Sequence, residues 1–232
     1  MLKEYISNSS KRATKTINSF STMNGRISVY IKDPLPKNVS FKSVFVKVRK
    51  IIPDIFFLAV DSIHIGLYDL FIEKSANAMY EDGKLFITSD QKDEKDMVDD
   101  IVHEVAHSLE DTFIEELYSD GMIKAEFLGK RNKLLDILEA HGYNIPEDLD
   151  FGNVEFSQDL DDYLYREIGY SKIANHIRGL FLGPYSTTSI HEYFAEGFED
   201  YFMNVGSRSY LKILYPILYR KIEYLERKLT NA

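Results

Sequence analysis

The spacing of apolar residues divides the chain into a strand-forming first part and a helical remainder. Ile27, Val29 and Ile31 alternate with polar positions and predict a strand ended by Pro34 and Pro36. Val39 to Ile52 carries helical spacing and stops at Pro53. Ser62 to Leu67 predicts a short strand. Asn77 to Glu81 and Lys84 to Thr88 flank Asp82-Gly83, a two-residue hairpin signal, because both residues tolerate the positive φ of a tight turn. After the polar start Ser89-Asp90 comes a long helix whose stripe Met97, Ile101, Val105 and Leu109 repeats every four residues. From Asp120 onward the pattern is mainly helical. Leu134, Leu135 and Leu138 mark one helix, Ser171 to Leu182 a second and Ser189 to Asn204 a third. Ser209 to Leu229 forms a last one, which Pro216 kinks or splits. Residues 1–24, rich in Ser, Thr, Asn and Lys, read as a loose arm or a weak helix. Strands first and helices afterward predict an α+β fold with a small sheet beside the long helix.

Composition bounds the rest. The chain has 232 residues, 44% of them hydrophobic, with 16 Tyr and 15 Phe, enough to bury a core as one domain over 1–232 with an N-terminal elaboration over 1–60. Its formal charge of −9 repels phosphate backbones and argues against nucleic acid as a partner. Lys42, Lys47, Arg49 and Lys50 read as the solvated face of a helix. There is no cysteine, so disulfides, thiolate ligands and a cysteine nucleophile are excluded. Met1 to Phe20 lacks the apolar core of a secretory signal peptide, and the apolar run Ile55 to Val60 is too short to span a membrane.

The chemistry concentrates in His103-Glu104-Val105-Ala106-His107, inside the long helix. A spacing of four puts both imidazoles on one face, one turn apart, as two ligands of a single tetrahedral zinc require. Glu104, next to the first ligand, reaches a metal-coordinated water without binding the metal itself, the position of a general base. The five-residue pattern also arises by chance. Here it lies mid-helix after a hairpin, with Val102, Val105 and Ala106 expected to bury the helix.

Two histidines need a third protein ligand, with the fourth position left to water. Glu110 would have to bend backward along its own helix. His141 and His176 lack a supporting pattern, and His191 is a rival. Glu192 and Glu196, four apart on the helix Ser189 to Asn204, are the better pair. One binds zinc while the other accepts a hydrogen bond from a zinc-bound imidazole.

The HExxH motif, followed by Tyr185 and then by Glu192-Tyr-Phe-Ala-Glu-Gly-Phe198, resembles the gluzincin metallopeptidases. The closer similarity is to the catalytic domain of anthrax lethal factor and its relatives. Their signature places a Tyr seven residues before a Glu that opens an E-[FY]-F-A-E-x-F helix. The resemblance covers roughly residues 60–230 in order, with specific matches only at the two motifs and a similar Pro-broken C-terminal helix. It implies a zincin-like fold, zinc on His103, His107 and Glu192, Glu104 as base, Glu196 supporting a ligating imidazole and Tyr185 stabilising the transition state. The family's large recognition domains have no room here, and residues 1–60 match none of its parts. The resemblance therefore leaves the substrate open beyond a protein or peptide. The lack of a secretory signal, with a weaker likeness to small virion proteins of tailed phages, leads to the expectation of a cytoplasmic or virion-associated protein.

The expected activity is thus peptide-bond hydrolysis. Lys84 to Thr88, taken as a sheet edge, would pair with an extended substrate. Two other readings compete. In one, a zincin-like fold is kept as a structural or binding module of a larger assembly. In the other, HExxH occurs by chance in an unrelated α+β protein.

Overall fold

The strands pair into one mixed sheet of order β1-β2-β3-β5-β4 in the computed structural model, which describes residues 18–69, 71 and 76–231. β1 (Asn18–Thr22) runs antiparallel to β2 (Ile27–Ile31). β2 and β5 (Lys84–Ile87) flank β3 (Ser62–Ile65), both parallel to it. β4 (Ala78–Glu81) closes the hairpin onto β5 with Glu81 opposite Lys84. The turn residues Asp82 and Gly83 take φ values of 45° and 78°, the left-handed pair a two-residue hairpin needs.

β1 corrects the expectation of a loose arm through residue 24; residues 1–17 of that arm lie outside the described residues. The strand N-S-F-S-T is exposed along nearly its whole length and has no apolar alternation to betray it. Its backbone pairing, with the turn at Met23 and Asn24 in positive φ, makes it a strand. β5 is a second correction. It lies between β3 and β4, so it is not an edge open to a substrate.

The fold is α+β, and its contacts divide the chain into two compact units, 1–108 and 109–232. In the first, helix α1 (Phe41–Ile51) buries Phe41, Val44, Phe45 and Val48 and is capped by Ser40. Its core joins Ile27, Val29, Ile63, Ile65, Leu85 and Ile87 from the sheet, all fully buried. Helix α2 (Glu94–Thr112) carries the four-residue stripe; Met97, Ile101, Val105 and Leu109 have no exposed surface. It begins later than Ser89-Asp90. Asp93 Oδ1 accepts the Lys95 and Asp96 amides at 2.7 and 3.1 Å and so satisfies the amide donors that start a helix.

The second unit is helical. α3 (Ile114–Tyr118), α4 (Met122–Ala140), α5 (Gln158–Asp162), a π-turn (Tyr163–Ile168) and α6 (Tyr170–His176) precede α7 (Ile190–Met203), α8 (Arg208–Leu214) and α9 (Pro216–Thr230). α6 is shorter than the expected 171–182. Gly179 turns the chain at φ 77°, and Arg178 bridges to Phe181. Pro216 splits the last helix and starts α9, where its missing N–H costs nothing. The half-buried Glu126 carboxylate at this break accepts the Ile217 and Leu218 amides at 2.9 and 3.0 Å and the Tyr193 hydroxyl at 2.9 Å. Phe127, Phe181, Tyr193 and Tyr215 form the aromatic centre around it. Among the described residues, no helix is long and apolar enough to cross a membrane.

Candidate metal centre

Helical geometry places the first two candidate ligands. His103 and His107 lie one turn apart on α2, half-buried, with ring centres 5.0 Å apart and planes at 72°. Their neighbours Val102, Val105 and Ala106 are fully buried, which fixes the face the imidazoles present. Glu104 is 6% exposed. One turn earlier, burial pushes the Asp100 carboxyl up to about 6; the Gln91 amide at 2.8 Å holds it down, and the charges of Asp96 and Glu104 add to the rise.

Glu192 sits in the first turn of α7. Ser189 caps that helix, its hydroxyl accepting the Glu192 amide at 3.1 Å, so the cap fixes where Glu192 enters the helix. Among the described residues, one group of three or more metal-ligating side chains could hold an ion: His103, His107 and Glu192. Their ligand atoms lie within 4.8 Å of one another. Two donors on one zinc at about 2.1 Å are at most about 4.2 Å apart, so small side-chain rotations bring the three onto an ion. A donor set of two imidazoles and a carboxylate, leaving one tetrahedral position open, is one that zinc accepts.

The rivals for the third position are engaged with each other. His191 Nδ1 contacts Glu110 Oε1 at 2.8 Å, and its Nε2 contacts Glu155 Oε2 at 3.0 Å. The Tyr118 hydroxyl also donates to Glu110. Hydrogen bonding to Glu110 and the charges of both carboxylates outweigh burial and hold the His191 imidazole up to about 9. At neutrality both of its nitrogens carry protons, and an imidazolium has no lone pair for a metal.

Tyr185 opens a short 3-10 turn (Tyr185–Thr187) and is 39% exposed. Glu196 braces this turn, its Oε1 accepting the Ser186 amide at 3.2 Å. Gly183 makes room for that carboxylate; a Cβ there would lie 2.8 Å from Glu196 Oε2. Among the hydrogen bonds described, Glu196 thus supports the Tyr185 turn.

Arg131, which sequence reasoning passed over, holds the same segment from below. It is fully buried. Its guanidinium donates to the Thr187 carbonyl at 3.0 and 2.9 Å, to Thr188 at 2.5 Å, to Phe151 at 3.4 Å and to Asn153. Burial lowers its pKa to about 10, so it remains charged at neutrality. The Ile190 amide donates to Val154 at 2.9 Å and completes the join between the 151–154 segment and the start of α7. Arginine on a helix ordinarily reads as surface, so no local signal marks this one.

No protein-family model matches the chain, and neither a curated protein nor a solved structure does.

Proposed function

We propose that the chain is a zinc metallopeptidase of zincin-like fold, with His103, His107 and Glu192 as metal ligands and Glu104 as general base. The observation that carries this reading is the convergence of those three ligand atoms within 4.8 Å around a helix that also bears Glu104. A zinc ion held there supplies Lewis acidity, polarising a peptide carbonyl and making water acidic enough to lose a proton near pH 7.

Glu104 takes the proton from the attacking water and passes it to the departing amine. Its position on α2, beside His103 and shielded from bulk water, suits this role. The Tyr185 phenol, accessible at its turn, donates a hydrogen bond to the oxyanion as it forms. Substrates in this reading are proteins or peptides.

The test is zinc content of the purified protein by plasma mass spectrometry, beside cleavage of unfolded casein by wild type, His103→Ala and Glu104→Gln. Tight zinc in wild type that is lost in His103→Ala, with zinc retained and turnover abolished in Glu104→Gln, is the expected result. Casein cleavage by zinc-loaded Glu104→Gln would defeat the assignment. Zinc binding without cleavage by any form would favour a binding module.

A further inference from the structure

The chain has six histidines. Two belong to the HExxH motif, and His191 is held between two carboxylates. His64 stacks between Tyr30 and Phe86 at 4.9 and 5.0 Å, with its Nε2 at 2.9 Å from the Ser62 hydroxyl. The remaining two, His141 and His176, come from different helices and meet with ring centres 4.5 Å apart and planes at 62°. That resembles the motif pair, at 5.0 Å and 72°. Two imidazoles on one ion, with metal–nitrogen distances of about 2.1 Å and an angle of roughly 90–110°, place their ring centres about 4.6–5.3 Å apart. The observed spacing is within side-chain adjustment of that range.

The backbone builds this meeting. His141 ends α4 in a double-bonded terminus, with the Gly142 amide donating to Glu139 at 2.9 Å and the Tyr143 amide to Leu138 at 3.1 Å. The His141 ring is then turned by a 2.7 Å hydrogen bond between its Nδ1 and the Ile137 carbonyl. A carbonyl can only accept, so Nδ1 carries the proton and Nε2 keeps its lone pair. This arrangement also orients ligating histidines in metal sites. No hydrogen bond from the described residues reaches His141 Nε2 or His176 Nδ1, and His141 is exposed. The Tyr143 hydroxyl stands 3.5 Å from His176 Nε2, at the rim of the pair.

We propose that His141 and His176 form a second metal site, separate from the HExxH centre, for a late first-row divalent cation, with solvent completing the coordination. Imidazole donors suit zinc, copper and nickel, and affinity follows the order that places copper highest. With two protein ligands this site is weaker than the three-ligand centre and exchanges its ion. The proposal does not depend on peptidase activity.

The test is zinc equilibrium dialysis at pH 7.5 on the untagged full chain, with folding followed by circular dichroism. Wild type is expected to take up two equivalents. His103→Ala should keep one exchangeable equivalent, and His103→Ala combined with either His141→Ala or His176→Gln should keep none. In the His103→Ala background, either second substitution should weaken binding at least tenfold. Absence of zinc uptake by folded His103→Ala would overturn the proposal. So would an equivalent that survives both His141→Ala and His176→Gln. Failure of the HExxH centre reads differently: wild type would bind one equivalent that His103→Ala leaves untouched and His141→Ala removes.

Discussion

Arg131→Met removes the only charged group among the contacts that join the 151–153 carbonyls to those of Thr187 and Thr188. The side chain is fully buried and, among the described residues, makes no ion pair, so its charge is compensated by carbonyl dipoles and by the nearby charge of Asp150. Methionine matches its bulk but donates nothing. The carbonyls of Asn153, Thr187 and Thr188 would lose charge-assisted hydrogen bonds, each contributing about 1.5–3 kcal/mol. Relief of the buried guanidinium offsets several kcal/mol of that loss. The net expectation is a destabilisation of about 3–5 kcal/mol, the range seen when a buried charged network loses one partner. For a chain of 232 residues this corresponds to a fall in Tm of roughly 6–20 °C. The chain has no Trp, so the melt is followed by circular dichroism at 222 nm. Two compact units need not unfold together, so amide exchange is read alongside. The Ile190 amide, bonded to Val154 at 2.9 Å, is the local reporter and should lose protection. Arg131→Lys keeps the charge but cannot reach both segments with one ammonium, and should recover about half of the loss. A stable Arg131→Met protein, within about 1 kcal/mol of wild type and with Ile190 still protected, would refute the reasoning.

Gly197→Ala tests the approach of α7 to α9, because the new Cβ would meet Leu218 Cδ2 at 2.4 Å with Leu218 fully buried. Alanine gains about 1 kcal/mol of helix propensity, and overpacking costs about 1–3 kcal/mol, so Tm should fall by a few degrees; a rise would show that Leu218 can move aside. Tyr185→Phe should leave stability within about 0.5 kcal/mol, since the residue is partly exposed, while lowering kcat on casein about 100-fold with little change in KM. Unchanged kcat would remove Tyr185 from the chemistry. In metal-free protein, the raised pKa of Asp100 means that the folded state holds its proton more tightly than the unfolded chain. Stability should therefore fall as pH rises from about 4 through about 6. Asp100→Asn should flatten that dependence in urea titrations across the range, and a slope identical to wild type would exclude Asp100 as its source.

Local geometry was legible in the sequence wherever a short period or a turn dictates it. The four-residue stripe of α2, the Asp82-Gly83 hairpin and the pairing of His103 with His107 follow from spacing along one helix or one tight turn. The end of α1 at Pro53 and the break at Pro216 follow from a missing N–H. Strand order did not follow, because backbone pairing carries no side-chain code. β1 shows no apolar alternation, and β5 became an interior strand only once β3 and β4 flanked it. The candidate third ligand was narrowed by pattern to a few acids and histidines. Tertiary contact occupied His191 with Glu110 and Glu155 and brought the Glu192 donor atom near the two imidazoles. Arg131 was invisible for the same reason: its meaning lies in carbonyls from two distant loops, which no window of neighbouring residues contains. Periodicity fixed which face each helix buries. Only long-range packing decided which polar groups meet on the far side of a turn.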